Sequence, residues 1–316
     1  MDNVTDPAIA APAVETVLCQ QLAQGDAVLE SINPILRHLL ANEDHALFNE
    51  AVLARVRGML NHLAEQLLAP VNGPGSHSAA AIEPDRIAEL SASFIDQPGL
   101  LRHLHALALE WQLTERMQAR QGLDPVLSPL IQTLIASADG GTASLAMSLL
   151  AAQARFGQSQ RRMQLPLTEL PGDLFRGVLQ LAEGDDYAGE LASTIAMARQ
   201  GYDESRCRIG LIGRLITAMG TGATGALVLT NGGVALFLSA LALASGIDRD
   251  TCALSTNDGQ LARLALSLRA AGLKPALVEE QFMALHPEIS LPDGFETLSA
   301  DSAAALLARS EAFARG

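Results

Sequence analysis

LIGRLITAMGTGATGALVLTNGGVALFLSALALASGI, residues 211–247, decides how the rest of the chain is read. It is the only stretch apolar enough to suggest a membrane span. It breaks at Asn231-Gly232-Gly233, and the apolar pieces on either side, Leu215–Thr230 and Val234–Gly246, are each shorter than the ~20 residues a span needs. Arg214 lies near one end, and Gly213, Gly220, Gly222, Gly225, Gly232 and Gly233 crowd the same stretch. The segment therefore reads as buried helices of a soluble core joined by tight turns. A hairpin of two spans is the rival reading.

The flanking sequence supports the helical reading. Leu53, Val56, Leu60, Leu63 and Leu67 step by three and four, which paints one seam on a helix. Leu145, Leu149, Ala152 and Phe156 do the same, as do Leu261, Leu264 and Leu268. Alternating β-branched runs are absent. Asp124-Pro125 reads as a helix cap followed by proline at the first helical position. Asp139, Asp203 and Asp248 are further cap candidates, and Gly122, Gly184, Gly201, Gly246 and Gly272 sit where helices should stop. The periodicity predicts helices over 13–24, 43–68, 84–95, 99–121, 125–137, 140–158, 172–183, 186–200, 204–219, 222–230, 233–245, 249–256, 259–271, 275–285 and 300–314.

Organisation follows from the gaps. Ala69-Pro70-Val71-Asn72-Gly73-Pro74-Gly75-Ser76-His77-Ser78 has turn formers and no apolar period. The expected division is an N-terminal helical segment at 1–69, a linker at 70–82, a main helical body at 83–286, and a break from Pro287 to Gly294 before a short C-terminal helix in 287–316. An internal echo joins SADGGTASLAMSLLAA at 137–152 to TNDGQLARLALSLRAA at 256–271. Ala143/Ala262, Leu145/Leu264, Ala146/Ala265, Ser148/Ser267 and Leu149/Leu268 match in register, so a repeat and a chance product of Ala-Leu bias are both open. The fold class is all-α: stacked helical hairpins, HEAT- or armadillo-like, or an irregular helical bundle, with an N-terminal helical segment.

Three stretches resemble a known family: Leu127–Phe175, Leu227–Gly259 and Leu264–Val278. They are similar to the bacterial family labelled domain of unknown function 2336, over roughly residues 97 to 285. The resemblance implies a soluble, all-helical protein, with the glycine-rich apolar segment as core. It transfers no catalytic or binding residue.

Composition excludes several classes. Of 316 residues, 49% are apolar and 18% charged, which is too apolar for disorder over most of the chain. The 35 acidic side chains against 21 basic ones give a net charge of −14, so duplex nucleic acid and anionic membranes are not expected partners. Cys19, Cys207 and Cys252 are too few and too far apart for a disulfide framework. Met1–Val14 has no basic region and no apolar core, so it does not read as a signal peptide. The cytoplasm is the expected location.

Candidate chemistry is sparse. Gly220-Thr-Gly222-Ala-Thr-Gly225 matches a dinucleotide fingerprint, but that motif works between a strand and a helix, and a tight interhelical turn is the preferred reading. His103 and His105 are two residues apart, about 200° round a helix, and cannot share a face for a metal. With His62 isolated too, these histidines read as surface or half-buried side chains. No nucleophile motif is present, and Glu183, Asp185 and Asp186 bracket Gly184 as caps rather than as an acid–base pair. No metal, cofactor or enzymatic activity is expected.

Two features point to partners. Arg155, Arg161 and Arg162 gather positive charge in an acidic chain, among Gln153, Gln158, Gln160 and Gln164. Arginine forks hold carboxylates or phosphates, so they are candidates to dock an acidic or phosphorylated partner segment; internal pairing with Glu169 or Asp173 is the alternative. The Leu53–Leu67 seam packs on the main body by default, with homodimerisation as the other candidate. The expected function is a non-enzymatic cytoplasmic adaptor or scaffold that binds another protein. Two rivals are a signalling phosphotransfer protein using His45, which follows Asn42-Glu43-Asp44, and a helical protein holding a small apolar ligand around Ala218–Leu243.

Overall fold

A computed structural model describes residues 14–41, 50–69, 82–184 and 188–314. Among these the chain forms fourteen α-helices and no strand. They are α1 (Val14–Ala41), α2 (Glu50–Leu68), α3 (Pro84–Phe94), α4 (Leu100–Gln121), α5 (Pro129–Ile135), α6 (Gly140–Arg161), α7 (Gly172–Glu183), α8 (Ala188–Gly201), α9 (Arg208–Met219), α10 (Leu229–Ser245), α11 (Arg249–Leu254), α12 (Leu261–Ala270), α13 (Pro275–Leu285) and α14 (Ala300–Ala314). The all-α reading holds. No described helix is long and apolar enough to cross a membrane.

The decisive segment becomes α9, a 3₁₀ stretch at Gly220–Leu227, and α10. A helix at 222–230 was expected. The glycines there lower helix propensity, and the chain winds more tightly until α10 begins. The Asn231-Gly232-Gly233 break bends α10 internally. Gly233 takes φ 74° and ψ 165°, a region closed to other residues. A Cβ on Gly232 would lie 2.7 Å from the Ala226 carbonyl oxygen, so the turn folds tightly onto the 3₁₀ stretch. Asn231 Nδ2 donates to the Gly225 carbonyl at 2.8 Å and closes it.

Three boundaries differ from the sequence reading. The first helix runs to Ala41 instead of ending at 24. Gly25 is no stop: a Cβ there would strike the Gln260 side chain at 2.7 Å, so the glycine makes room for a neighbour. Pro34 sits inside the helix, where it gives up one backbone hydrogen bond without ending it. Asp124-Pro125 does not open a helix. The Asp124 carboxylate accepts the N–H groups of Val126 and Leu127, both at 2.8 Å, in a turn of its own, and Ser128-Pro129 opens α5 instead. Before α9, Glu204–Arg206 forms a separate 3₁₀ turn, and Cys207 Sγ caps the helix by accepting from Gly210 N–H.

The chain divides into two compact units, one of Met1–Glu30 with Ser255–Gly316 and one of Ser31–Leu254. Residues 70–81 of the linker expected at 70–82 lie outside the described residues. Helix α2 contacts α3, α4 and α8 in the larger unit. Its seam of Leu53, Val56, Leu60, Leu63 and Leu67 is buried within that unit. In the larger unit α6 packs on α5, α9 and α4, while α10 packs on α4, α5, α9 and α11. Such contacts between helices far apart in sequence make an irregular bundle, since solenoid repeats touch only their neighbours. In the smaller unit α12 packs on α13 and α14. Its buried Arg263 pairs with Asp26 of α1 and donates to Ser310 of α14.

Candidate functional site

The most heavily charged interior lies in the larger unit, between α4, α9, α10 and α11. Glu110 of α4 and Arg208 of α9 are each about 1% exposed and form a two-pronged pair, with Nη1–Oε1 at 2.6 Å and Nη2–Oε2 at 3.1 Å. Arg249 of α11 donates to the second Glu110 oxygen at 3.0 Å and to Ser239 of α10 at 2.8 Å. The Arg208 guanidinium lies 3.6 Å over the Phe156 ring of α6. Burial by itself would raise the Glu110 pKa. The charges and hydrogen bonds of Arg208 and Arg249 outweigh it and bring it down to about 2. Glu110 is therefore held as an anion, and with Ser239 the triad ties four helices together. Removing Glu110 would leave two inward-facing arginines without their carboxylate, at a cost of roughly 3–5 kcal/mol.

The histidines on α4 depart from the expectation. His103 and His105 are both buried, because α4 is covered on nearly every side. His103 Nδ1 faces the Asp250 carboxylate at 2.9 Å. Desolvation lowers the His105 pKa to about 4, so the ring is neutral near pH 7. His62 Nδ1 stands 2.8 Å from the Leu165 carbonyl oxygen. Among the described residues no three His, Cys, Asp or Glu side chains come together as a metal site. The Gly220–Gly225 motif joins two helices, without the preceding strand its nucleotide role requires. Beside Gly232–Leu236 lies a cavity of about 20 Å³, close to the space of one water.

The arginines sit on the outer side of α6. Arg155, Arg161 and Arg162 are all exposed. Among the described residues none of them forms an ion pair. Glu169 instead accepts the Arg208 backbone N–H at 2.9 Å. Arg161 and Arg55 each lie 5.9 Å from the centre of the Trp111 ring, and Arg55 also donates to the Gln160 carbonyl. Ser144, Met147, Ser148, Ala151, Arg155, Gln158 and Arg162 make one exposed stripe along the helix. Its C-terminal end closes with Gln164 N–H donating to the Ser159 carbonyl at 2.9 Å and Met163 N–H to the Gln160 carbonyl at 3.1 Å. That pattern places Met163 in the left-handed region, at φ 57°. His45, with Asn42-Glu43-Asp44, and the carboxylates Asp185 and Asp186 lie outside the described residues.

The sequence reading missed the Glu110 triad. A signal was present: one acid inside the apolar run Leu104–Leu113 has to find a buried partner. In comparisons with known proteins the chain matches no family model, no curated protein and no solved structure.

Proposed function

We propose that this protein is a non-enzymatic adaptor, acting in the cytoplasm, that binds another protein through the outer face of α6. One observation carries the reading: Arg155, Arg161 and Arg162 stand at the C-terminal half of α6 in a chain with net charge −14 and, among the described residues, form no ion pair. Arg161 and Arg162 also complement the negative end of the α6 dipole. That explains their tolerance there but uses none of their hydrogen-bonding forks. Arg208 and Arg249, by contrast, spend their forks on the buried Glu110 carboxylate. The resemblance to the domain of unknown function 2336 family belongs to the same proposal.

The test uses a labelled short poly-glutamate peptide and fluorescence anisotropy. The intact protein should bind it, with affinity falling as salt screens the contact. Replacing all three arginines by glutamine should weaken binding about tenfold, as three exposed pairs of ~0.5 kcal/mol imply, and leave the melting temperature unchanged. A control replaces the exposed Arg120, Arg206 and Arg214 by glutamine. If it loses as much affinity as the test variant, binding follows net charge and the α6 face is not the site.

A further inference from the structure

Left-handed backbone in this chain is reserved for glycine, with one exception. Among the described residues Gly99, Gly122, Gly220, Gly233, Gly246, Gly272 and Gly294 have positive φ, and Met163 is the sole other residue that does. Gly122 and Gly246 fill this role at the ends of α4 and α10. At the end of α6 a side-chain-bearing residue takes a conformation that glycine adopts without steric penalty. The corner itself does not need methionine. It is fixed by the two backbone bonds from Met163 and Gln164, by Gln160 Nε2 donating to the Gln164 carbonyl at 3.2 Å, and by Gly58 of α2. A Cβ on Gly58 would lie 2.6 Å from the Met163 carbonyl oxygen. Met163 nevertheless remains 37% exposed as a residue, next in sequence to Arg161 and Arg162. Met147, 51% exposed, stands on the same stripe near the other end of α6. Met147 thus stands on the stripe and Met163 just past its C-terminal end, with Arg155 and Arg162 between them in sequence.

Spacing defines what fits. Arg155 and Arg162 are seven residues apart, which puts them on one face about 10 Å apart along the axis. A partner helix laid along α6 would meet them with carboxylates at the same spacing, and apolar residues between those acids would reach the methionines. We infer that the outer face of α6 docks an acidic amphipathic helix of a partner protein, with carboxylates on Arg155 and Arg162, Arg161 adding positive charge at the flank, and an apolar side chain on Met163. This rests on the adaptor reading and adds an apolar contact to it. Charge complementarity selects an acidic occupant. The exposed methionine selects one with an apolar stripe rather than a phosphorylated polar segment.

The experiment compares three labelled peptides on the full chain. One is helical, with glutamates seven apart and leucines between them. The second has glutamine for each leucine. The third is a phosphoserine peptide without leucine. The intact protein should prefer the leucine peptide. Met163→Gly should weaken that peptide about fivefold, leave the glutamine peptide unchanged, and keep or raise the melting temperature because the left-handed strain is gone. Should Met163→Gly disturb the corner, Met163→Asn, which tolerates the same backbone, serves as the second variant. Equal binding of the leucine and glutamine peptides, insensitive to both variants, would overturn the apolar contact while the arginine variant still tests the adaptor reading. A preference for the phosphoserine peptide would overturn it in favour of a phosphorylated partner. Binding of none of the three would remove both proposals.

Discussion

Helices α6 and α12 begin from nearly the same sequence and end in different surroundings. Both carry a serine whose hydroxyl donates to the carbonyl four residues back, Ser148 to Ser144 at 2.9 Å and Ser267 to Arg263 at 2.7 Å. Ser267 is buried and Ser148 exposed. At the matching position Leu266 is 0% exposed and Met147 is 51% exposed. Arg263 sits where α6 has Ser144, and its charge is buried against Asp26. The Asp-Gly openings diverge as well. Asp139 caps α6 through the Thr142 N–H at 2.9 Å. Asp258 instead pairs with His286 at 3.1 Å, and Asn257 caps the turn before α12. The shared pattern sets helix type and starting point. Which faces are dry is decided by helices elsewhere in the chain, and α6 keeps a wet face.

The largest effect should separate the two matched apolar positions. Leu266→Ala creates a cavity in a filled core and should destabilise its unit by roughly 2–5 kcal/mol. Met147→Ala should change stability by no more than about 0.5 kcal/mol. Urea titrations followed by circular dichroism check both. Equal losses would mean that the α6 face is covered in solution and that the contrast between the helices is false.

The contrast also shows what could be read in advance. The helical periods of α2, α6 and α12 were legible because Leu and Ala recur at three- and four-residue steps. The length of α1 was not, because Gly25 and Asn33-Pro34 look like stops. Gly25 answers to Gln260, a residue that only tertiary structure brings beside it. The arginines of α6 were legible as a charge cluster, since exposure leaves them as the sequence shows them. The Glu110–Arg208–Arg249 triad was illegible as a set, because its members come together only when three helices, α4, α9 and α11, pack. Met163 left a faint trace: Arg162-Met163-Gln164-Leu165-Pro166 must end a helix and contains no glycine.

A second, smaller contrast is acid sensitivity. The unit that holds α6 also holds His105, whose pKa falls from 6.5 to about 4 on burial. The folded form binds fewer protons than the unfolded chain, so this contribution is complete above pH 6.5 and is lost as pH falls toward 4. The loss should reach about 3 kcal/mol. Glu110, held at about 2, adds a further loss in the same direction once the pH falls below the ordinary carboxylate range. Trp111, the only tryptophan, lies in this unit and reports its unfolding by fluorescence. Midpoints measured across this range should fall with pH, and His105→Leu should flatten the limb between 6.5 and 4. A limb unchanged by that substitution would assign the acid sensitivity to other groups.

The smallest effect concerns the two aspartates that open the echo. Hydrogen bonds from the Thr142 hydroxyl and backbone, and from Gly141, hold the Asp139 carboxyl below its usual pKa, so it is an anion at the positive end of α6. Asp139→Ala removes the acceptor for the Thr142 N–H. Amide exchange at Thr142 should then speed up, with the rest of α6 still protected, because the helix interior is held by packing on α5 and α9. Asp139→Asn keeps an acceptor oxygen and should restore most of the protection. Asp258→Ala should leave the turn before α12 protected, because the Gly259 N–H donates to Asn257 Oδ1 at 3.2 Å and not to Asp258. If Asp258→Ala exposes that turn as Asp139→Ala exposes α6, the two aspartates do the same work. The echo would then extend from sequence into capping, and the distinction between the two helices would rest on burial alone.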